Sequence, residues 1–319
     1  MNTIKISSQI RYWDQNPTRR ISATDRNGRT IEVAYFPLAQ FTGYSKHYPL
    51  PLLYSYKNKK LFLPLREKFM SLDRGTVYEV GDMFFEDELP EVQKTVDIPM
   101  FYFVYNMANY YHFIYDTLPY LFSYFNEKRI HPDMKLLVSP PEGQDDLYPF
   151  VWDSLNMLGI TRDDVVFLDP EVMYNRVCVS SSLTHNGLSN CPPHRGVFDI
   201  LNSMKSDYVG PEKIYISRRT WVHNKKDNIG TDYTERRRCV NEDQVAQIFK
   251  LYGFQEIFCE NLTMEEKIGM FRTAKYIAGP IGGGMCNTIF SPPDTKVMSI
   301  NSPTFMDVNL RFAYSMVHT

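Results

Sequence analysis

The chain has 319 residues, 43% of them hydrophobic and 23% charged, and carries a formal net charge of -2. This length suits two domains or one large α/β domain, and the composition is that of a globular protein with a substantial core. The near-neutral charge argues against a nucleic-acid partner, and no apolar stretch is long enough for a signal peptide or membrane span. We therefore expect a cytoplasmic protein of bacterial or viral origin.

The cysteines are odd in number and widely spaced: Cys178, Cys191, Cys239, Cys259 and Cys286. No C-x-x-C pair and no metal-like Cys/His spacing occurs among them. This pattern predicts neither a disulfide framework nor a zinc site.

The first part of the chain alternates between strand-like and helix-like patterns. Residues 1–95 are rich in β-prone runs and turn signals, such as "RTIEVAYFPL" and "TDRNGRT". Residues 109–125 predict an aromatic-rich helix with a kink or restart at Pro119, since proline lacks the backbone N–H that a helix needs. The strand-like "MKLLVSP" and "DVVFLDP" then flank the helical "YPFVWDSLNMLGI". This βαβ order favours a parallel sheet.

The alternation resumes after a loop-like stretch near residues 184–196. Predicted strands lie in "KIYISRR", "FQEIFCE", "KYIAGP" and "KVMSI", and helical patterns in "NEDQVAQIFKLYGF" and "TMEEKIGMFRTA" lie between them. Four short apolar runs alternating with helices are typical of a doubly wound α/β domain. We therefore predict an N-terminal domain over 1–195, β-rich over 1–95 and α/β over 96–195, and a C-terminal domain over 196–319.

A glycine turn follows the third of these strands. Gly282, Gly283 and Gly284 stand in a row before a short apolar segment. They could form a sharp strand-to-helix turn, or they could let backbone amides approach a diphosphate closely. The spacing lacks the G-x-G-x-x-G of dinucleotide-binding folds and the Lys-Ser/Thr of a Walker loop.

Arginines are placed to meet the same edge of the predicted sheet. Arg218 and Arg219 come directly after "YIS", and Arg238 precedes a helix start at Asn241-Glu242. The helix start itself is explained by an N-cap with acidic residues in the first turn. Guanidinium groups bind phosphate bidentately and can stabilise a leaving diphosphate, although a solvated charge run would look the same.

A second set of polar residues lies on the aromatic-rich helix. Asn109, His112 and Asp116 occur at i, i+3 and i+7, and therefore share one face of an α-helix. A histidine followed by an aspartate is a plausible general-base arrangement, while a buried structural histidine is the alternative.

The ordered set of these motifs resembles glycosyltransferase family 61. "NYYHFIYDTLPYL" resembles its N-x-x-H-x-x-x-D-x-L-P element, and the chain from "YISRR" to "KVMSI" resembles its arginine, Asn-Glu and glycine-loop signature. The chain departs from the family where Pro280-Ile281 replaces a histidine that many relatives carry before the loop glycines.

The resemblance implies an inverting, metal-independent transferase of the GT-B type, with two Rossmann-like domains facing a cleft. It implies catalytic roles for His112 and Asp116, and cleft positions for Asn109 and Glu242. It implies these donor-binding residues: Arg218, Arg219, Arg238, Glu260, Leu262, Thr263, Gly282, Gly283, Gly284 and Asn287. The expected co-substrate is a nucleotide sugar with UDP as the expected nucleotide, and no separate cofactor is expected.

We therefore expect an enzyme that moves xylose, N-acetylglucosamine or a similar sugar onto a hydroxyl of a glycan or glycoconjugate. Two alternatives stay open at this stage. One is a nucleotide-dependent oxidoreductase on a similar sheet, although the dinucleotide fingerprint is missing. The other is a non-catalytic nucleotide- or glycan-binding protein that shares the fold.

Overall fold

The computed structural model describes residues 2–6, 18–24, 30–42, 51, 53–56, 60–62, 85–104, 106–184, 193–222 and 239–301. The chain forms two compact units, each assembled from separate stretches of sequence. The first unit contains Met1–Met107, Tyr115–Leu147 and Ile160–Ile200, and the second contains Ala108–Ile114, Tyr148–Gly159 and Leu201–Thr319. The second unit thus includes two earlier segments that the sequence analysis grouped with the N-terminal domain.

The first unit is built mainly from β-strands. They are β1 (Asn2–Ile6), β2 (Thr18–Thr24), β3 (Thr30–Phe41), β4 (Leu53–Ser55), β5 (Lys60–Phe62), β6 (Phe85–Leu89), β7 (Lys94–Val96), β8 (Met100–Tyr102), β9 (Lys135–Val138), β10 (Val165–Phe167) and β11 (Val172–Ser180). The main sheet has the order β10-β9-β8-β11-β3-β4-β5, with β2 also paired to β3 and β7 to β11, while β1 pairs with β6 separately. Strands β10, β9, β8 and β11 run parallel, and β3, β4 and β5 continue the sheet antiparallel. Strands β1 to β6 lie within residues 1–95, the portion that the sequence analysis predicted to be β-rich.

The core of the first unit is aromatic. Phe41 and Tyr102 stack with ring centroids 5.2 Å apart, and Phe101 meets Tyr124 edge-on at 5.7 Å. All four rings are buried, as expected for the large apolar area that aromatic side chains supply. The tyrosine-rich and phenylalanine-rich first half of the sequence is therefore used as core material.

The aromatic-rich segment after residue 109 is helical but irregular. It passes from helix α1 (Tyr110–His112) through a π-helical turn (Phe113–Thr117) and a 3₁₀ turn (Leu118–Tyr120) into helix α2 (Leu121–Ile130). Pro119 lies inside the 3₁₀ turn, directly before the regular helix restarts, which confirms the predicted restart. The division between the two units falls inside the π-helical turn, between Ile114 and Tyr115.

The second unit contains a parallel four-stranded sheet. Its strands are β12 (Lys213–Ile216), β13 (Gln255–Ile257), β14 (Tyr276–Pro280) and β15 (Lys296–Ile300). The order is β13-β12-β14-β15, and every neighbouring pair is parallel. The chain therefore moves outward from β12 first in one direction and then in the other, which makes the gap between β12 and β14 a topological switch point. The predicted α/β class is confirmed.

In the second unit, α5 (Glu242–Leu251) and α6 (Met264–Thr273) connect strands of this sheet, and α3 (Pro149–Met157) packs against α6. Helix α4 (Gly196–Ser203) contains the point in the chain where the two units divide. Helix α5 packs through Ala246 against Tyr215 and Ala278 of the sheet. Phe249 of the same helix stacks on Tyr215 at 4.9 Å. The apolar residues that follow the first residue of each central strand, β12 and β14, are buried, as expected for a covered parallel sheet, whereas Met298 of the edge strand β15 is 60% exposed.

Candidate functional site

The clearest polar cluster lies at the switch point of the second unit, where β12 and β14 end. Arg218 follows β12, and its Nη1 donates a hydrogen bond of 2.6 Å to the backbone carbonyl of Ile281, just after β14. A Cβ atom at Gly282 would lie 2.3 Å from the same Nη1. Gly282 is therefore a glycine because the guanidinium occupies the space of a side chain. The predicted meeting of Arg218 with the glycine turn is present.

The glycines of this turn are explained by the space that a missing side chain leaves, and not by unusual backbone angles. Gly283 has φ -55° and ψ -36°, and the positive-φ glycines of the described chain lie elsewhere. A Cβ at Gly284 would meet Ile216 Cγ2 at 2.7 Å, so this glycine allows close packing on β12. At Gly283 a Cβ would approach Tyr110 Cδ1 only to 3.9 Å. Packing within the described chain therefore does not require a glycine at this exposed position.

Asn287 ties the glycine turn to α1. It is fully buried, and its Nδ2 donates to the carbonyl of Gly284 at 2.9 Å. Its Oδ1 accepts a hydrogen bond of 2.5 Å from the hydroxyl of Tyr110. Burial raises the pKa of Tyr110 well above its ordinary value, so this hydroxyl stays a donor. Asn287 therefore fixes the turn from within the fold.

Glu242 anchors the end of β12 from the first turn of α5. Its side chain is 1% exposed, and Oε1 accepts hydrogen bonds from the backbone N–H of Arg218 at 2.7 Å and from the Tyr215 hydroxyl at 3.2 Å. Burial raises the pKa of Glu242, and the hydrogen bond from Arg218 opposes that change. Its other oxygen, Oε2, is buried without a hydrogen-bond partner among the described residues.

Arg219 points its guanidinium at carboxylates. Nε and Nη2 donate to Glu256 at 2.9 and 2.6 Å, and Nη1 donates to Asp243 at 2.5 Å. These bonds raise the pKa of Arg219 above its ordinary value. The two adjacent arginines therefore differ: Arg218 turns towards the glycine turn and Arg219 towards acidic partners. Arg238 lies outside the described residues.

The predicted donor-binding residues Glu260, Leu262 and Thr263 follow β13. Glu260 accepts a hydrogen bond of 3.0 Å from the hydroxyl of Thr220, so it lies near the residues that follow β12. Leu262 is half-buried, and its N–H closes a 3₁₀ turn onto Cys259. Thr263 caps α6 through a reciprocal pair of hydrogen bonds with Glu266, at 3.2 and 2.8 Å. The structure thus gives Thr263 a capping role.

The three predicted polar residues around α1 lie in different surroundings. Asn109 caps α1 by accepting a hydrogen bond of 3.3 Å from the His112 N–H, and the His112 ring meets Tyr111 edge-on. Asp116 is 3% exposed and accepts a hydrogen bond of 3.0 Å from the hydroxyl of Thr184 within the first unit. Because residues 113–117 are π-helical, the α-helical spacing that placed Asp116 on the face of His112 does not apply there.

A comparison with protein-family models matches residues 110–298, more than half of the chain, to the model described as glycosyltransferase 61. The chain belongs to the glycosyltransferase 61 family. The resemblance noted in the sequence is thereby confirmed, and the protein is an enzyme that transfers sugars from a donor to an acceptor. The oxidoreductase and non-catalytic alternatives are set aside.

The match to the glycosyltransferase 61 model begins at Tyr110 and includes both the polar cluster at the switch point and the π-helical turn. No curated protein matches the chain. Within the described part of this glycosyltransferase, no helix has the length and apolar character needed to cross a bilayer.

Sequence reasoning missed two residues of the switch-point cluster, Tyr110 and Lys267. Tyr110 looks like ordinary core material, and only its hydroxyl contact with Asn287 distinguishes it. Lys267 is 2% exposed, and its ammonium lies 4.6 Å from the centre of the Tyr110 ring. Its signal was present in the sequence, since Met264, Lys267, Ile268 and Phe271 have the spacing of one buried helix face.

Proposed function

We propose that the protein is an inverting glycosyltransferase that uses a UDP-linked sugar and glycosylates a hydroxyl of a glycan or glycoconjugate. Xylose and N-acetylglucosamine are the sugars that the family resemblance favours. The observation that carries the proposal is the contact of Arg218 with the glycine turn at the switch point of a parallel sheet. Ligands of open α/β sheets bind at such points, outside the carboxyl ends of the strands.

In this proposal, the donor diphosphate lies against Arg218 and the exposed backbone of Gly283. A guanidinium can contact two phosphate oxygens at once, and the lack of a side chain at Gly283 leaves its backbone open to a ligand. Arg219 already donates three hydrogen bonds to carboxylates, which fix its guanidinium and leave one N–H on each terminal nitrogen for a donor contact. Arg238 stays a proposed second cation of the donor site.

The second unit takes the donor-binding role in this proposal, and the first unit takes the acceptor role, as in GT-B enzymes. The acceptor oxygen forms a bond to the anomeric carbon while its proton passes to a base. The bond from that carbon to the phosphate oxygen breaks, and UDP leaves with the electron pair. Positive charge at Arg218 stabilises the negative charge that develops on the leaving diphosphate, without a metal ion.

We propose His112 as the base, with Asp116 as the second choice. His112 is partly exposed, whereas Asp116 is nearly buried and already accepts a hydrogen bond from Thr184. A general base must reach the proton of the acceptor hydroxyl, which favours the more accessible side chain.

The test combines donor binding with transfer. Isothermal titration with UDP, GDP and CDP identifies the nucleotide, and release of that nucleotide from its sugar conjugates identifies the donor. We expect Arg218→Ala to reduce kcat about 10²-fold or more with the fold intact, as for loss of one transition-state stabilising group. Arg176→Ala is the matched control, because Arg176 is an exposed arginine of the first unit that bonds the Asp97 carbonyl.

Full activity of Arg218→Ala would overturn the donor-site proposal. Full activity of both His112→Ala and Asp116→Asn would exclude both residues as the base. Activity that disappears with EDTA and returns with Mn²⁺ would contradict the metal-independent mechanism.

A further inference from the structure

Lys267 is a buried cation on an otherwise apolar helix face. It lies on α6 between Met264 and Ile268, and only 2% of its surface is exposed. Lysine is among the residues least often buried without a partner, because taking an ammonium out of water costs several kcal/mol, roughly, even after relaxation. A buried lysine therefore calls for a source of compensating charge.

The described part of the chain compensates this charge only in part. The ammonium forms no ion pair or side-chain hydrogen bond there, and its described contact is the face of Tyr110 at 4.6 Å. Asp153 and Glu260 attract the ammonium electrostatically, but they form no ion pair with it among the described residues. Burial lowers the pKa of Lys267, as expected when the charged form lacks full compensation.

The two neighbouring cysteines do not compensate the ammonium. Both thiols are buried, and burial raises the pKa of Cys259 to about 12 and that of Cys286 further. They are therefore neutral thiols at physiological pH. Tyr110 is neutral as well, since burial raises the pKa of its hydroxyl.

Lys267 is linked to the glycine turn through a single aromatic ring. Tyr110 receives the ammonium on its face, donates its hydroxyl to Asn287, and brings Cδ1 to 3.9 Å from the Cβ position of Gly283. Asn287 in turn donates to the Gly284 carbonyl. The partly compensated ammonium therefore belongs to the group of side chains that pack beneath the glycine turn.

We propose that Lys267 is a positioning residue of the donor site, whose buried charge is compensated when the diphosphate of the donor binds at the glycine turn. This inference rests on the proposed function. The ligand-free protein is destabilised by the buried Lys267 ammonium, and the negative diphosphate relieves this destabilisation when it binds. The attraction is strong because it acts through a protein interior of low dielectric. Lys267 also holds the Tyr110 ring in the position that bonds Asn287.

The test is Lys267→Met, a substitution that keeps an unbranched apolar stem and removes the charge. We expect UDP to bind about tenfold more weakly, the order expected for one charge in an effective protein dielectric, while binding of uridine stays unchanged. We also expect the unfolding midpoint of the ligand-free variant to be equal to or above that of wild type, because a partly compensated charge is lost. The control is Lys275→Met, which removes an exposed lysine of the same unit that pairs with Glu212.

The opposite changes in affinity and stability separate this role from a structural one. Equal loss of UDP and uridine binding, lower stability, or failure of Lys267→Met to fold would each contradict the proposal. If wild type binds UDP and Lys267→Met binds it equally well, the inference about Lys267 is overturned and the proposed function stands. If wild type binds none of UDP, GDP and CDP, the proposed function itself fails. If wild type prefers GDP or CDP, that nucleotide and its nucleoside replace UDP and uridine in the Lys267→Met test.

Discussion

At the residue scale, the donor-site proposal depends on the space left by missing side chains. The Arg218 guanidinium occupies the space that a side chain at Gly282 would fill, and Ile216 occupies the corresponding space at Gly284. Gly283 leaves open space beside Tyr110. Each of the three adjacent positions therefore favours glycine for a different reason, and none of the three glycines has a positive φ angle.

A methyl group at Gly282 should act through Arg218. In Gly282→Ala the new Cβ would lie 2.3 Å from Nη1, and the flexible arginine can move away. We therefore expect a stability loss of less than about 1 kcal/mol, since the nearest described atoms all belong to the flexible Arg218 side chain, but a strong loss of nucleotide affinity. Urea unfolding and UDP titration measure the two effects. Unchanged UDP affinity would show that the position of Arg218 does not matter for the donor.

Gly283→Ala provides the paired comparison. Among the described residues its Cβ would meet only Tyr110 Cδ1, at an ordinary 3.9 Å, so the fold should tolerate it. We expect native stability together with weaker UDP binding, because the methyl group would occupy the space proposed for the phosphate. The same urea and titration measurements apply, and full UDP affinity in this variant would place the phosphate away from Gly283.

Glu242 should make stability depend on pH. Burial raises its pKa in the native state, so the folded protein binds more protons than the unfolded chain between the two pKa values. This contribution is therefore favourable at low pH and is lost as pH rises through the native pKa. We expect Glu242→Gln to gain stability relative to wild type as pH rises from 4 towards neutrality, roughly the range above the ordinary glutamate pKa.

Urea unfolding at several pH values measures this difference for Glu242→Gln. Glu212→Gln, at an exposed carboxylate of the same unit, is the control. A difference between wild type and Glu242→Gln that stays constant with pH would show that the carboxylate is not destabilised by burial.

At the element scale, α6 carries both a capping residue and the buried lysine. Thr263 starts the helix through its reciprocal hydrogen bonds with Glu266. The regular spacing of Met264, Lys267 and Phe271 then directs these side chains into the unit. The position of Lys267 therefore depends on how firmly the first turn is fixed.

Loss of the cap should cost stability. We expect Thr263→Ala to lower the free energy of unfolding by about 1 kcal/mol and Thr263→Ser to have little effect, because serine keeps the capping hydroxyl. Thr161→Ala is the control in the first unit, where the Thr161 N–H and hydroxyl donate hydrogen bonds of 3.0 and 3.2 Å to Asp164. Urea denaturation measures all three. Weaker UDP binding by Thr263→Ser with native stability would instead support the predicted contact of Thr263 with the donor.

The elements also show what the sequence could predict. Strands β12 to β15 and the helices between them were predictable, because short apolar runs bounded by glycine, proline and helix caps typically form buried strands. The π-helical turn was not, since the α-helical spacing of Asn109, His112 and Asp116 gives no sign of the residues between them. The partners of Arg218 and Arg219 were equally hidden, because two adjacent arginines look alike until tertiary contacts separate them.

At the scale of the whole molecule, donor binding should stabilise the two units unequally. We expect UDP to slow amide exchange after β12 and β14 and in α6, while β3 to β5 of the first unit exchange as before. The global effect at 100 times the dissociation constant is about 2.7 kcal/mol. Hydrogen-exchange mass spectrometry with and without UDP measures the pattern. Protection centred on the first unit would contradict the assignment of the donor site.

The second unit is completed by two short segments that precede its main body in the chain. Tyr110 from the first segment packs on Phe150 from the second, at 5.3 Å, and bonds Asn287 in the body. During synthesis on the ribosome these aromatic segments emerge before the sheet that will enclose them. A fragment that starts at residue 201 would lack both segments. A chimera that receives only this continuous fragment of the second unit would therefore lack the aromatic side chains that pack in its core.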